Sequence, residues 1–250
     1  MLSKNGTIKI KEFTGSNFLK IDFITSFNSK LYFGFNKQLW ETDGTEAGTI
    51  MVFDNINNDG RIVGIANRGT DLLILAQFGI HLFDGNSNTT TRLKTPNIAG
   101  IYAENQYKKA GNLVFFNADD INNGTNLWST DGTDNGTKPI HKFWPDNIIP
   151  KTFKTINDKL IFSSGNYSGN YHIGELWVSD GTENGSKLLN DINKSGNLSS
   201  NPRFQIALNG KIYFASDDGI NGRELWSSDG ITTLMVKDIF PGISSGNPHD

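Results

Sequence analysis

One short motif recurs along this chain and constrains its fold more than any other feature. It reads Glu224-Leu225-Trp226-Ser227-Ser228-Asp229-Gly230 near the end. Earlier copies are Glu175-Leu176-Trp177-Val178-Ser179-Asp180-Gly181-Thr182, Leu127-Trp128-Ser129-Thr130-Asp131-Gly132-Thr133 and Leu39-Trp40-Glu41-Thr42-Asp43-Gly44-Thr45. A divergent copy is Leu82-Phe83-Asp84-Gly85-Asn86. With Trp40, Phe83, Trp128, Trp177 and Trp226 as anchors, the copies are spaced by 43, 45, 49 and 49 residues. A period of that length is the signature of a repeat architecture, in which each unit buries its core only against its neighbours.

Each copy follows a plan of four short strands. The second strand is apolar on both faces, as in Ile212-Tyr213-Phe214-Ala215 and Leu113-Val114-Phe115-Phe116. Side chains alternate with a period of two, so Ile212 and Phe214 share one face and Tyr213 takes the other. Leu225 and Trp226 also fall on opposite faces. Sheets needing cover on both sides fit a stack of small four-stranded sheets, and the predicted fold is all-β and β-propeller-like, with about five blades. A six-bladed ring or a segment of a longer array is the alternative. The repeats are expected at about 16–58, 59–98, 99–147, 148–196 and 197–242 of a single repeat domain, with an extra strand at 7–14. No stretch has a sustained helical period, so very little helix is expected.

The Asp-Gly turn has its own chemistry. A carboxylate at Asp43, Asp131, Asp180 or Asp229 can accept backbone N–H groups two residues on. Gly44, Gly132, Gly181 and Gly230 can take a positive φ. Gly48, Gly136 and Gly185 offer a second permissive position before the fourth strand. A ring of catalytic or metal-binding carboxylates competes with a hairpin brace. The brace is the reading adopted, because every blade needs one whereas catalysis needs asymmetry.

The segment 175–186, together with Gly219-Ile220-Asn221-Gly222-Arg223-Glu224-Leu225-Trp226 and Val236-Lys237-Asp238-Ile239-Phe240-Pro241-Gly242, resembles the ELWxxDGT repeat family. That resemblance implies a propeller-like, non-catalytic module of bacterial secreted or surface proteins, with no general active site. The turn is also similar to the structural Asp-box of sialidase-type propellers. Copy two departs from the pattern, lacking both the Trp and the Thr.

Charge and composition narrow the function further. The 250 residues carry a formal net charge of −3 with mixed signs, so no field favours nucleic acid. No run approaches the roughly 18 apolar residues of a spanning helix, so membrane insertion is not expected. The chain has no cysteine and no apolar leader. An extracellular or cell-surface location is expected, with any signal sequence outside this chain. His81, His141, His172 and His249 form no zinc pattern. No nucleophile elbow or phosphate loop is present. Acidic pairs such as Glu104 and Asp119 could serve a glycoside hydrolase. No catalytic residue or cofactor is expected. Calcium is a minority expectation for Asp217-Asp218-Gly219-Ile220-Asn221-Gly222 and Asp119-Asp120-Ile121-Asn122-Asn123-Gly124.

Function is more readily placed where the repeat is broken. Copy four inserts a loop holding Tyr167, Tyr171 and His172, and copy three adds Trp144, a Trp outside the anchor position. Exposed aromatics of this kind stack on sugars or anchor a protein. The expected role is a non-enzymatic scaffold or protein-interaction propeller, with a carbohydrate-binding propeller as the alternative. Its partners would be a protein or glycan at a surface, and further domains of a longer chain.

Overall fold

A computed structural model describes residues 8–13, 21–35, 37–54, 59–95, 97–102, 106–122, 124–140, 148–166, 174–194 and 199–242. Among these residues the secondary structure is strand and turn, with no helix. None is therefore long and apolar enough to cross a membrane. The chain divides into two compact units, Met1–Glu104 and Asn105–Asp250.

The first unit holds two antiparallel sheets. One is β1 (Ile21–Phe27), β2 (Lys30–Phe35), β3 (Gln38–Thr42) and β4 (Ile50–Phe53), and the other is β5 (Ile62–Asn67), β6 (Leu72–Ala76), β7 (Gly79–Asp84) and β8 (Thr89–Arg92). A short strand, β9 (Ile98–Ile101), follows, and its Ile101 N–H donates to Gln77 O at 2.7 Å. Residues 8–13, expected to form an added strand, are not a strand. They are held by side chains instead. Phe13 packs its ring 4.5 Å from Phe35 and 4.9 Å from Trp40, and Lys11 Nζ donates to Thr49 O at 2.9 Å.

The second unit holds three such sheets. They are β10 (Tyr107–Ala110) to β13 (Lys138–Ile140) through β11 (Leu113–Asp120) and β12 (Gly124–Thr130); β14 (Ile148–Ile156) to β17 (Lys187–Asn190) through β15 (Lys159–Asn166) and β16 (Leu176–Ser179); and β18 (Arg203–Leu208) to β21 (Thr233–Lys237) through β19 (Lys211–Asp217) and β20 (Arg223–Ser228). In all five sheets four strands follow chain order as a meander, as the repeat plan requires.

Local sequence sets the hairpins. Asn28-Ser29, Asn157-Asp158 and Asn209-Gly210 all take positive φ at both turn positions. That is the twist-matched two-residue turn of a tight hairpin. Register then fixes the faces. Trp40, Trp128, Trp177 and Trp226 each pair across the sheet with a Phe of the second strand: Phe33, Phe116, Phe162 and Phe214. The preceding Leu points the other way, as alternation predicts.

The core within each unit lies between consecutive sheets. Phe27, Tyr32 and Leu39 of the first sheet pack with Leu72 and Ile74 of the second. Ala110, Phe115 and Leu127 of the third pack with Leu160, Phe162 and Trp177 of the fourth. Ile156, Ile161 and Leu176 of the fourth pack with Ile212, Phe214 and Trp226 of the fifth. At these junctions the Leu face of one sheet meets the Trp face of the following sheet, or, in the second sheet, the face carrying Leu72 and Ile74.

Copy two corrects the expected anchor. Its register pairs Ile74 with His81 and Leu72 with Phe83. The residue directly before the Asp in copy one, Thr42, pairs with Leu31, and Trp40 pairs with Phe33. Phe83 thus occupies the Thr42 position, and His81 stands where the other copies have Trp. The Phe lies immediately before Asp84, whereas each Trp is three residues before its Asp, so matching aromatic to aromatic shifted the copy by two.

Candidate functional site

The Asp-Gly turns are built alike in three copies. Asp43 Oδ1 accepts from Thr45 N at 2.9 Å and from Thr45 Oγ1 at 2.7 Å. Thr45 Oγ1 accepts from Gly48 N at 2.9 Å, and Thr49 Oγ1 donates back to Thr45 O at 2.6 Å. Asp131 and Thr133 repeat the pattern, as do Asp180 and Thr182, with carboxylate contacts of 2.7–2.9 Å. Gly44, Gly132, Gly181 and Gly230 hold φ of 94°, 84°, 88° and 87°. Gly48, Gly136 and Gly185 are needed for a different reason from the expected positive φ. A Cβ there would lie 2.1, 1.9 and 1.9 Å from the carboxylate Oδ1 of Asp43, Asp131 and Asp180. In copy five, which lacks the Thr, Asp229 Oδ1 accepts directly from Ile231 N and Thr232 N. In copy two Asp84 accepts from Asn86 N and Ser87 Oγ.

These bonds favour the ionised form. Hydrogen bonds from Thr45 hold the Asp43 carboxyl below its ordinary range. Those from Asn86 and Ser87 do the same for Asp84, and those from Thr232 and Ile231 for Asp229. Carboxylates kept ionised are poor proton donors, and the Oδ1 of each is tied into its own loop.

The Glu that opens the motif is also structural. Glu175 Oε1 accepts from Ser200 N and its Oε2 from Ser200 Oγ, both at 2.7 Å. Glu224 Oε2 accepts from Ile239 N at 2.8 Å. Burial raises the Glu175 pKa, and the Ser200 bonds partly offset that rise. Both residues pin the segment that leaves the sheet, a role whose distant partners gave no local sequence signal.

Two polar clusters break the repeat. The first replaces the Trp layer of copy two. Asp59, buried, accepts from Arg92 Nε at 2.6 Å and Arg92 Nη2 at 2.8 Å, and lies 2.9 Å from His81 Nε2. Arg92 is the cross-strand neighbour of His81. Gly79 makes room, because a Cβ there would lie 2.4 Å from Asp59 Oδ2. Burial lowers the His81 pKa, and burial opposes but does not cancel the lowering of Asp59 by Arg92 and His81.

The second cluster follows the first strands of the second unit. Gln205 Nε2 donates to Thr152 Oγ1 at 2.8 Å, and Thr152 Oγ1 lies 2.7 Å from Ser163 Oγ. Asn117 Nδ2 donates to Pro150 O at 2.8 Å. Thr152 has a φ of 53° at a strand irregularity, unusual for a β-branched residue. Among the described residues, Asn117 Oδ1 and Gln205 Oε1 are buried without a hydrogen-bond partner. The cluster contains only amides and hydroxyls, so it can exchange hydrogen bonds but supplies no proton-transfer group at neutral pH.

The sequence candidates fall as follows. Trp144, Tyr167, Tyr171 and His172 lie outside the described residues, as do His141, His249 and Glu104. Asp218 accepts from Ile220 N, Asn221 N and Asn221 Nδ2, and Asp217 accepts from Gly219 N, so the first of the two loops considered for calcium directs these oxygens at itself. In the second, Asp120 accepts from Asn122 N and Asp119 from Thr125 Oγ1. No group of three or more His, Cys, Asp or Glu disposed to hold a metal occurs among the described residues.

No family model and no curated protein matches this chain. Solved structures do. Two are of the extracellular domain of BT4673 from B. thetaiotaomicron, described once as a hybrid two-component and once as a one-component system. The first has a TM-score of 0.53 at 14% identity and covers 89% of this chain and 28% of that one. The second has a TM-score of 0.52 at 14% identity and covers 88% and 28%. The chain thus spans under a third of the length of either structure. Likeness at this identity bears on fold alone. With the five meander sheets, it makes this an all-β, propeller-like protein.

Proposed function

We propose that this chain is a non-enzymatic, propeller-like scaffold that binds protein partners at an extracellular or cell-surface location, as a module of the ELWxxDGT repeat kind. The fate of the repeated acidic residues carries this reading. The turn aspartates accept hydrogen bonds within their own loops, and Glu175 and Glu224 pin strand exits. The repeated chemistry is therefore spent on architecture, which leaves loops and sheet faces to do the binding. The extracellular origin of the two similar structures accords with the location.

Carbohydrate binding is the second reading, supported by the neutral amide and hydroxyl cluster around Thr152 and Gln205 and by the aromatics Trp144, Tyr167 and Tyr171 of the sequence. Two measurements test the pair. Brief protease treatment of intact cells should release peptides of this chain, and chemical cross-linking there should join it to protein. A chain untouched by the protease, or cross-linked to no protein, contradicts the scaffold reading. On a glycan array the scaffold reading expects no signal. A signal lost in Trp144→Ala, Tyr171→Ala or Gln205→Ala establishes the second reading instead.

A further inference from the structure

Equivalent positions in the five sheets differ sharply in exposure at two places. The second-strand residue opposite the one preceding the Asp is Leu31, Leu72, Val114, Leu160 or Ile212. Four of these are 0% exposed, and Leu31 is 46% exposed. The residue closing the first strand is Phe27, Ala110, Ile156 or Leu208 in four of the sheets. Three of these are 5% exposed, and Leu208 is 58% exposed. Leu31 belongs to the Trp face of the first sheet, and Leu208 to the Leu face of the last.

Elsewhere within a unit these two kinds of face cover each other. The junction between the fourth and fifth sheets joins Ile156, Ile161 and Leu176 to Ile212, Phe214 and Trp226. The Leu face of the last sheet and the Trp face of the first carry the same two halves, open at Leu208 and Leu31, half-buried at Tyr213 and Leu225, and capped by Phe13 over Phe33 and Trp40. Leu208, Tyr213 and Leu225 stand at the equivalents of the first set, and Leu31, Phe33 and Trp40 at those of the second. Residues 8–13 cover the first sheet only in part. Between them and the sheet lies an apolar cleft of ≈ 310 Å³ lined by Ile8, Ile10, Phe13, Ile24, Leu31 and Phe33. Ile24 and Ile206 beside these positions are also exposed. Open apolar surface of this kind, matched to a junction the fold already uses, is an interaction surface.

We infer that the last sheet of one copy stacks on the first sheet of a second copy, extending the sheet-on-sheet stacking between molecules. The contact is head-to-tail, using different faces on the two partners, so it propagates or closes into a ring. It goes beyond the proposed scaffold role, because it needs no other protein and is read on the purified chain.

Sedimentation of the 250-residue chain over a concentration series tests it. Wild type should show mass above one copy that grows with concentration. Leu31→Asp and Leu208→Asp should each sediment as single copies with unchanged thermal melts, since both side chains are exposed. Their equimolar mixture should form a particle of two copies and no more, because one intact face remains on each variant. If either variant fails to fold, Ile24→Asp and Ile206→Asp take its place on the same faces. A wild type that stays single at every concentration overturns the inference. So does a mixture that stays single, or assembly that survives both substitutions.

Discussion

At Gly185 a Cβ would meet the Asp180 carboxylate at 1.9 Å, whereas at Gly44 the space is open and only the φ of +94° opposes a side chain. The two glycines of the brace therefore fail differently. Gly44→Ala should cost about 1–2 kcal/mol, the penalty of a left-handed conformation. Gly185→Ala must expel a carboxylate from its hydrogen bonds and should cost more, about 2–4 kcal/mol. Urea unfolding of the two variants checks the order, and equal losses would contradict the assigned roles. The brace also sets an acid limit. Asp43, Asp84 and Asp229 have folded pKa values below the ordinary one. Their stabilisation is complete above the unfolded aspartate value of about 3.9 and is lost as pH falls through the folded value. Asp43→Asn, Asp84→Asn and Asp229→Asn combined should flatten the acid limb of the melting curve against pH. A limb as steep as wild type would show that these carboxylates do not differ between the folded and unfolded states.

Among the elements, the third strand of each sheet decides packing. Trp128 is buried and stacks 6.4 Å from Phe116. Trp128→Ala should cost about 3–5 kcal/mol. Trp177, half-buried, should cost less, and both losses appear in a thermal melt. In copy two the same place is polar. Asp59→Ala should destabilise by about 2–3 kcal/mol, because it leaves Arg92 and His81 without their shared acceptor. A double-mutant cycle with Arg92→Ala should show coupling of about 1–3 kcal/mol, and additive losses would deny the pair. Much of this was legible in sequence. Alternation placed Leu225 and Trp226 on opposite faces, and Asn209-Gly210 marked its hairpin. The rest was hidden for physical reasons. His81 does not resemble a Trp, so hydrophobic matching chose Phe83. Glu175 finds its partner at Ser200, a separation that no local pattern reports. The close approach of Gly185 to Asp180 exists only once the loop is closed.

For the whole molecule, the repeat makes stability a sum of sheets and junctions, and the chain divides into two compact units. The central claim is that, where consecutive sheets pack, the Leu face of one is covered by the Trp face of the following sheet, or by its equivalent in the second sheet. The absence of native cysteine allows that claim to be read directly. Leu31→Cys, Leu160→Cys, Ile212→Cys and Leu208→Cys can be made singly and labelled with a thiol reagent in native buffer, at a concentration where the chain sediments as single copies. The account predicts fast labelling at positions 31 and 208 and protection at 160 and 212 until the chain unfolds. Comparable rates at all four positions, or protection at 31 and 208, would contradict it.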